Sequence, residues 1–428
     1  MAGAPGIDLA ALRRGDPGAR RQLDAAIAAA PDDRRLRIAQ AEARFAAGDA
    51  EPWSALDPLL AHAPEWIEGQ NVRAALRWEM GLGAAFADGF RAALAARPRN
   101  VALWNAYIAA LSAVDDPAGA ADAARDAQAY FNHPILRLIE ASQAGNAGDI
   151  ARAERLLQAL PARFPGRAPV DARHLIRTGR LDQAESILSQ LRASDPADLT
   201  TWALTEVVWR ACGNPRTEWL GGQAGMIATV ELAISPERLA RLADVLRGLH
   251  VRDAQPVGQS VRGGTQTRGP LFERQEPEIA AFRNIVQDAV EAYVRSLPPR
   301  DDTHPLLRHR DRRLVAQGGW SVRLHSAGHH VPHLHPSGLL SSAAYIALPA
   351  LDPGSRNGWL ELGVPPADLR LDLPPRAAVE PRPGRLVLFP SFLYHGTRPF
   401  SGGERLSVAF DAIAAPPQPS ADRSPGHV

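Results

Sequence analysis

Five of the thirteen histidines fall within eleven residues, in the run Leu324-His-Ser-Ala-Gly-His-His-Val-Pro-His-Leu-His-Pro336. His333 and His335 are two residues apart. On a strand that spacing directs both side chains to one face, so two imidazoles can address a single ion. Sixty residues after His335, the apolar stretch Arg385-Leu-Val-Leu-Phe-Pro-Ser-Phe-Leu-Tyr ends in His395, a candidate third ligand. Ten residues further stands Arg405, followed two positions on by Ser407. In a strand these two also share a face, and a guanidinium beside a hydroxyl makes a fork for a carboxylate. The chemistry these types and spacings offer is a divalent metal held next to a carboxylate-bearing ligand. His330 is a substitute ligand, His325 and His329 belong to the periphery, and Gln317, Trp320 and Arg323 stand on the preceding strand as candidate pocket lining.

Such residues need a rigid β-framework. From Leu314 onward the text consists of short apolar runs broken by glycine and proline, which reads as a β-sandwich or barrel. Ahead of it, residues 278–296 form an amphipathic pattern with Ile279, Phe282, Val286, Ala289, Val290 and Tyr293 on one stripe. Ser235-Pro236 marks the start of another helix. Residues 259–267 read as strand, turn and strand; their glycine pair lacks the lysine a phosphate loop requires.

The first half carries a period. Pro31, Pro64, Pro98, Pro134, Pro165 and Pro196 recur at intervals of 33, 34, 36, 31 and 31 residues, near the 34 of tetratricopeptide repeats. Most of them follow an apolar segment and precede a helical one, where a first helical turn is expected. Between them fall helix-ending residues at Gly48-Asp49, Gly83, Asp115-Asp116, Gly148-Asp149, Gly179-Arg180 and Gly213-Asn214. A helical array offers a groove for a peptide or partner protein, or a surface for self-association. Trp53, Trp66, Trp78 and Trp104 line such a groove or, as their size favours, fill the core.

A paired His-x-Asp, a distal histidine, and an arginine about ten residues on with a hydroxyl two beyond form the pattern of 2-oxoglutarate oxygenases on the double-stranded β-helix, which His333-Leu-His335, His395, Arg405 and Ser407 resemble. Trp320-Ser-Val-Arg-Leu, His333-Leu-His-Pro, Leu340-Ser-Ser-Ala-Ala-Tyr345 and Gly384-Arg-Leu-Val-Leu-Phe-Pro-Ser391, in this order, resemble the prolyl 4-hydroxylase-like branch. They are similar to bacterial 2OG-Fe(II) oxygenases fused to tetratricopeptide repeats. The resemblance covers residues 255–413. It implies Fe(II) held by His333, His335 and His395. It also implies 2-oxoglutarate seated on Arg405 and Ser407, dioxygen as the other co-substrate, and hydroxylation of a C–H bond. Tyr345 is either a further donor to the keto acid or a core residue. The family's usual second ligand is a carboxylate; His335 replaces it, and its ring fills the position that related halogenases leave for a halide.

The expected architecture is multidomain α + β, an all-α tetratricopeptide-like solenoid followed by a jelly-roll domain with flanking helices. Its boundaries are 1–215 for the repeats, 216–310 for the connector, 311–413 for the oxygenase core and 414–428 for a disordered tail. The 48 basic residues, all arginine, balance 47 acidic ones, so no global field favours nucleic acid or an anionic membrane. One cysteine, Cys212, excludes an internal disulfide framework and a multi-cysteine zinc site. Residues 1–14 lack a leader pattern and no run is long and apolar enough to span a membrane, so a cytoplasmic protein is expected. The leading functional expectation is hydroxylation of a peptide or protein side chain captured by the repeats. A small-metabolite dioxygenase and a non-catalytic scaffold with a structural metal are the alternatives.

Overall fold

The computed structural model describes residues 11–12, 17–250, 257–350 and 354–415. The tail after Ala415 and most of residues 1–14 fall outside the described residues, and with them the disorder and leader expectations.

The first half is helical throughout. Its helices are α1 (Pro17–Ala29), α2 (Arg34–Ala46), α3 (Asp57–His62), α4 (Ile67–Glu79), α5 (Asp88–Ala96) and α6 (Val101–Ala113). They continue with α7 (Pro117–Ala127), α8 (Pro134–Asn146), α9 (Ile150–Gln158), α10 (Arg167–Arg177), α11 (Leu181–Ser194) and α12 (Leu199–Ala211). The repeat is visible in how helices end. After α2, the Gly48 N–H reaches the Phe45 carbonyl and the Asp49 N–H that of Arg44, with Gly48 left-handed at φ 85°. The same bond pair closes α6, where Asp115 takes the left-handed place at φ 63° without the ease of glycine. After α4 that place belongs to Gly81, not Gly83, which instead opens a short 3-10 turn.

The prolines sit differently from the expectation. Pro134 does open α8, but Pro31, Pro64, Pro98, Pro165 and Pro196 lie in the turn just before the helix. Four of their carbonyls accept a side chain six residues on: Arg37 Nε (2.8 Å), Gln70 Nε2 (3.0 Å), Trp104 Nε1 (2.9 Å) and Trp202 Nε1 (3.0 Å). Proline stiffens the turn, and its carbonyl anchors the helix that follows. Trp53, Trp66 and Trp104 are buried and Trp78 packs edge-on against Phe86, so these indoles belong to the core.

By packing, the chain divides into two compact units. The first comprises residues 1–188, 248–266 and 366–372; the second comprises 189–247, 267–365 and 373–428. In the first, the only segment of 259–267 that forms a strand is β2 (Val261–Gln266). The expected turn does not form there, because Gly263 is absorbed within the strand at φ 67°.

The second unit contains α13 (Pro236–Leu249), α14 (Pro277–Ser296) and the antiparallel jelly roll. Its strands are β1 (Ala228–Glu231), β3 (Leu314–His330), β4 (Leu340–Ala347), β5 (Leu360–Leu362), β6 (Ala377–Val379), β7 (Arg385–Pro390), β8 (His395–Thr397) and β9 (Arg405–Ala414). The larger sheet runs β1-β7-β4-β9-β3, the smaller β6-β5-β8. β7 pairs with β1 and β4 along its two edges and is buried from Leu386 to Pro390, on both faces. Helix α14 buries its predicted stripe, and Gln287 donates to the Leu314 carbonyl while accepting from the Ala316 N–H. A bulge between Gln317 and Trp320 shifts the β3–β9 register.

Candidate active site

Register decides which side chains can meet. In the β3–β9 pair, Leu324 faces Arg405, Val322 faces Ser407 and Trp320 faces Ala409; in the β4–β9 pair, Tyr345 faces Ser407 and Ser341 faces Asp411. Directly opposed residues point to the same side of a sheet. Arg405, Ser407, Tyr345 and Asp411 therefore project from one face.

The histidines arrive from the loop after β3 and from β8. An isolated antiparallel bridge joins His333 to His395, with the His333 N–H on the His395 carbonyl at 3.0 Å and the reverse bond at 2.9 Å. This double bond holds the two Cα atoms in register although sixty-two positions separate them. The glycine after His395 is required: a Cβ at Gly396 would stand 2.8 Å from the His330 carbonyl oxygen. One ring nitrogen from each of His333, His335 and His395 lies within 4.8 Å of the other two. Ring centroids are 4.2 Å apart for His333 and His395, and 5.0 and 5.1 Å for the pairs with His335.

Each ring is oriented by its other nitrogen. His333 Nδ1 lies 2.9 Å from the Val331 carbonyl, His395 Nδ1 3.1 Å from that of Leu393, and His335 Nδ1 2.7 Å from the Asp411 carboxylate. An acceptor there fixes the tautomer with Nδ1 protonated and leaves Nε2 with its lone pair. Burial, with His335 close by, holds His333 at about 4. Burial together with His333 and His335 pushes His395 well below the usual imidazole range. Both are neutral at neutral pH, the form that binds metal.

Arg405 is buried. Its Nη1 donates to the Gly358 carbonyl at 2.6 Å, and its guanidinium lies 5.0 Å over the Tyr345 ring. Burial lowers its proton affinity and raises that of the Tyr345 hydroxyl, an effect Arg405 partly offsets. Arg405 Nε and the Tyr345 hydroxyl are buried with no hydrogen-bond partner among the described residues. Two such groups side by side are costly unless a ligand satisfies both. An anionic, multi-oxygen ligand fits them, as three converging imidazole nitrogens fit a divalent ion.

The structure thus brings together His333, His335, His395, Arg405, Ser407 and Tyr345. His330 stacks on His333 at 5.8 Å, and Trp320 packs on His335 at 5.2 Å. Gln317 is exposed, and Arg323 turns to the other face to pair with Glu404, so neither lines the site. Asp411, bonded to His335 and to the Ser341 hydroxyl at 3.0 Å, was missed. Its signal was present: residues 405, 407, 409 and 411 share the two-residue period of one strand face.

Residues 318–411 match the family model "Putative 2OG-Fe(II) oxygenase", and residues 146–205 match a tetratricopeptide repeat model. No curated protein matches the chain. Among solved structures, a prolyl-4-hydroxylase from Pseudomonas putida aligns at 16% identity and a TM-score of 0.33, covering 45% of this chain and 94% of that one. HygX from Streptomyces hygroscopicus, solved with nickel, 2-oxoglutarate and hygromycin B, aligns at 16% identity and a TM-score of 0.31, covering 44% and 83%. PilW, a type IV pilus biogenesis factor, aligns at 20% identity and a TM-score of 0.32, covering 43% and 88%. No helix among the described residues is long and apolar enough to cross a membrane. The chain carries a domain of the 2OG-Fe(II) oxygenase family, an Fe(II)- and 2-oxoglutarate-dependent dioxygenase, fused to tetratricopeptide repeats.

Proposed function

We propose that the enzyme hydroxylates a side chain of a peptide or protein that the repeats help to capture. His333, His335 and His395 are its metal ligands, and Arg405, Ser407 and Tyr345 are its 2-oxoglutarate contacts. The observation that carries the site assignment is the convergence of three oriented imidazoles beside a buried guanidinium and phenol with unspent donors.

Bound Fe(II) and 2-oxoglutarate together supply oxidative decarboxylation, in which dioxygen, the keto acid and a substrate C–H give succinate, carbon dioxide and a C–OH. The chain's residues prepare that chemistry. His333 and His395 are locked to each other by their main-chain pair and to their carbonyl acceptors, so both rings are placed before any ion enters. His335 stands where the family has a carboxylate; the Asp411 carboxylate on its Nδ1 supplies a negative charge from one position further out. Arg405, Ser407 and Tyr345, which share one face of the sheet, would hold the far carboxylate of the keto acid. Charge-assisted bonds of this kind set both its position and its orientation.

Anaerobic addition of Fe(II) and then 2-oxoglutarate should produce a visible charge-transfer band. Arg405→Ala should weaken 2-oxoglutarate about 30-fold, the loss of roughly 2 kcal/mol expected of a hydrogen bond to a charged group, while leaving Fe(II) affinity within about threefold. Unchanged 2-oxoglutarate affinity refutes the assignment of Arg405. Turnover stimulated by a metabolite and by no peptide refutes the substrate class.

A further inference from the structure

The short segment Pro366-Ala-Asp-Leu-Arg370 lies between β5 and β6 in the sequence, yet by packing residues 366–372 belong to the repeat unit. It makes a single 3-10 turn, Ala367–Leu369, closed by the Leu369 N–H on the Pro366 carbonyl at 3.0 Å. Leu369 is fully buried. The Asp368 carboxylate is held between Arg173, at 2.7 Å, and Arg177, both on α10. Arg177 Nε also donates to the Asp368 main-chain carbonyl at 3.0 Å. On its other side Arg177 bonds the Asn146 side chain of α8 and passes so close to Gly145 that a Cβ there would meet its Nη1 at 2.6 Å.

Three features set this contact apart from ordinary surface pairing. The Arg177 side chain is only 1% exposed, so it is a built, desolvated cation rather than a solvated one. Asp368 supplies a carboxylate to that buried charge, and removing one partner of a buried pair is strongly unfavourable. Arg177 takes both the carboxylate and the main-chain carbonyl of Asp368, and the next residue, Leu369, is buried, so the contact involves two consecutive residues. Recognition of consecutive residues through one main-chain carbonyl and two side chains is recognition of a linear motif, and a linear motif can be supplied by another chain.

We propose that the α8–α10 face of the repeats is a receptor for peptides carrying an Asp-Leu pair, and that the chain's own Asp368-Leu369 is its resident occupant. Tethering through short flanks gives that occupant an effective concentration on the order of millimolar, so a free peptide competes only if it binds better or if the resident is removed. Arg173 and Arg177 select the carboxylate; the buried leucine site selects a following aliphatic residue. This site is independent of the oxygenase assignment, since neither iron nor 2-oxoglutarate takes part.

The test uses the full chain without metal. A fluorescent peptide spanning residues 364–375 is titrated by anisotropy into the wild type, into Asp368→Ala/Leu369→Ala, and into that variant with Arg177→Gln added. The vacated variant should bind saturably, at least tenfold more tightly than wild type. Arg177→Gln, or Asp368→Asn within the peptide, should weaken binding tenfold or more. Hydrogen exchange gives a second reading that needs no vacated pocket: amides 366–372 should be protected in the wild type and exchange at least tenfold faster in Arg173→Gln/Arg177→Gln. Failure of the vacated chain to bind, binding indifferent to Arg177, or resident amides equally unprotected in both proteins would overturn the proposal.

Discussion

Tyr345 and Asp411 show how much the site depends on atoms whose partners are unequal. The Tyr345 hydroxyl is buried and unpartnered among the described residues, so in the absence of co-substrate it lowers stability. Tyr345→Phe should therefore raise the metal-free protein's stability by about 1 kcal/mol, while weakening 2-oxoglutarate several-fold. Thermal unfolding with and without the keto acid reads both effects, and a stability loss in the apo protein would contradict the orphaned hydroxyl. Asp411 is the opposite case, its Oδ1 bonded by both His335 and Ser341. Asp411→Asn keeps an acceptor for His335 and removes the charge, and should reduce Fe(II) affinity about 10-fold; Asp411→Ala removes both, and about 100-fold is expected. Equal Fe(II) affinity in all three proteins, measured by anaerobic titration, would show that Asp411 does not tune the site. Residue type and spacing singled out the triad, Arg405 and Ser407; strand periodicity holds for the pair on β9, whereas His333 and His335 lie in the loop after β3 with one isolated bridge to His395. Asp411 shares the face period of Arg405 and Ser407, but its place beside His335 and Ser341 shows only once β9 is paired with β4.

Among the elements, the jelly roll's key joint is the two-residue bridge between the His333 segment and β8. It depends on Gly396 lacking a side chain, since any Cβ meets the His330 carbonyl and comes within 3.1 Å of the Pro332 nitrogen. Gly396→Ala should separate the bridge, lower stability by about 1–3 kcal/mol as overpacking does, and abolish tight metal binding. A variant with wild-type melting temperature and metal affinity would mean the bridge is pliable. The repeats were readable from their period because proline, glycine and alanine punctuate helices locally. Where the prolines sit was not, since a turn proline and a first-turn proline leave the same spacing. Only the recurring bond from a side chain six residues on to the proline carbonyl separates them. Residues 259–267 failed for a related reason: a glycine with positive φ reads as a turn unless a strand can absorb it, and β2 does.

For the molecule as a whole, acid tolerance is set by carboxylates in both units. Glu154 is held at about 2 by His174 and Arg180, and Asp301 at about 2 by Thr303 and Trp219. Both lie below their ordinary values of 4.5 and 3.8, so folding favours their ionised forms. Their contribution is complete above those ordinary values and is lost as pH falls towards 2. Glu154→Gln/Asp301→Asn should flatten the fall in urea midpoint between about pH 4.5 and 2, with the two sites additive because they share no partner. An acid limb as steep as the wild type's would assign the loss to other groups. The division into units has a consequence of its own. Residues 248–266 and 366–372 return to the first unit after the chain has entered the second, so the backbone crosses between them five times. Neither unit is one continuous stretch of the sequence. A fragment ended at residue 215 strands two pieces of the repeat unit's own packing, and neither unit can be excised, swapped or grafted as one uninterrupted stretch of gene.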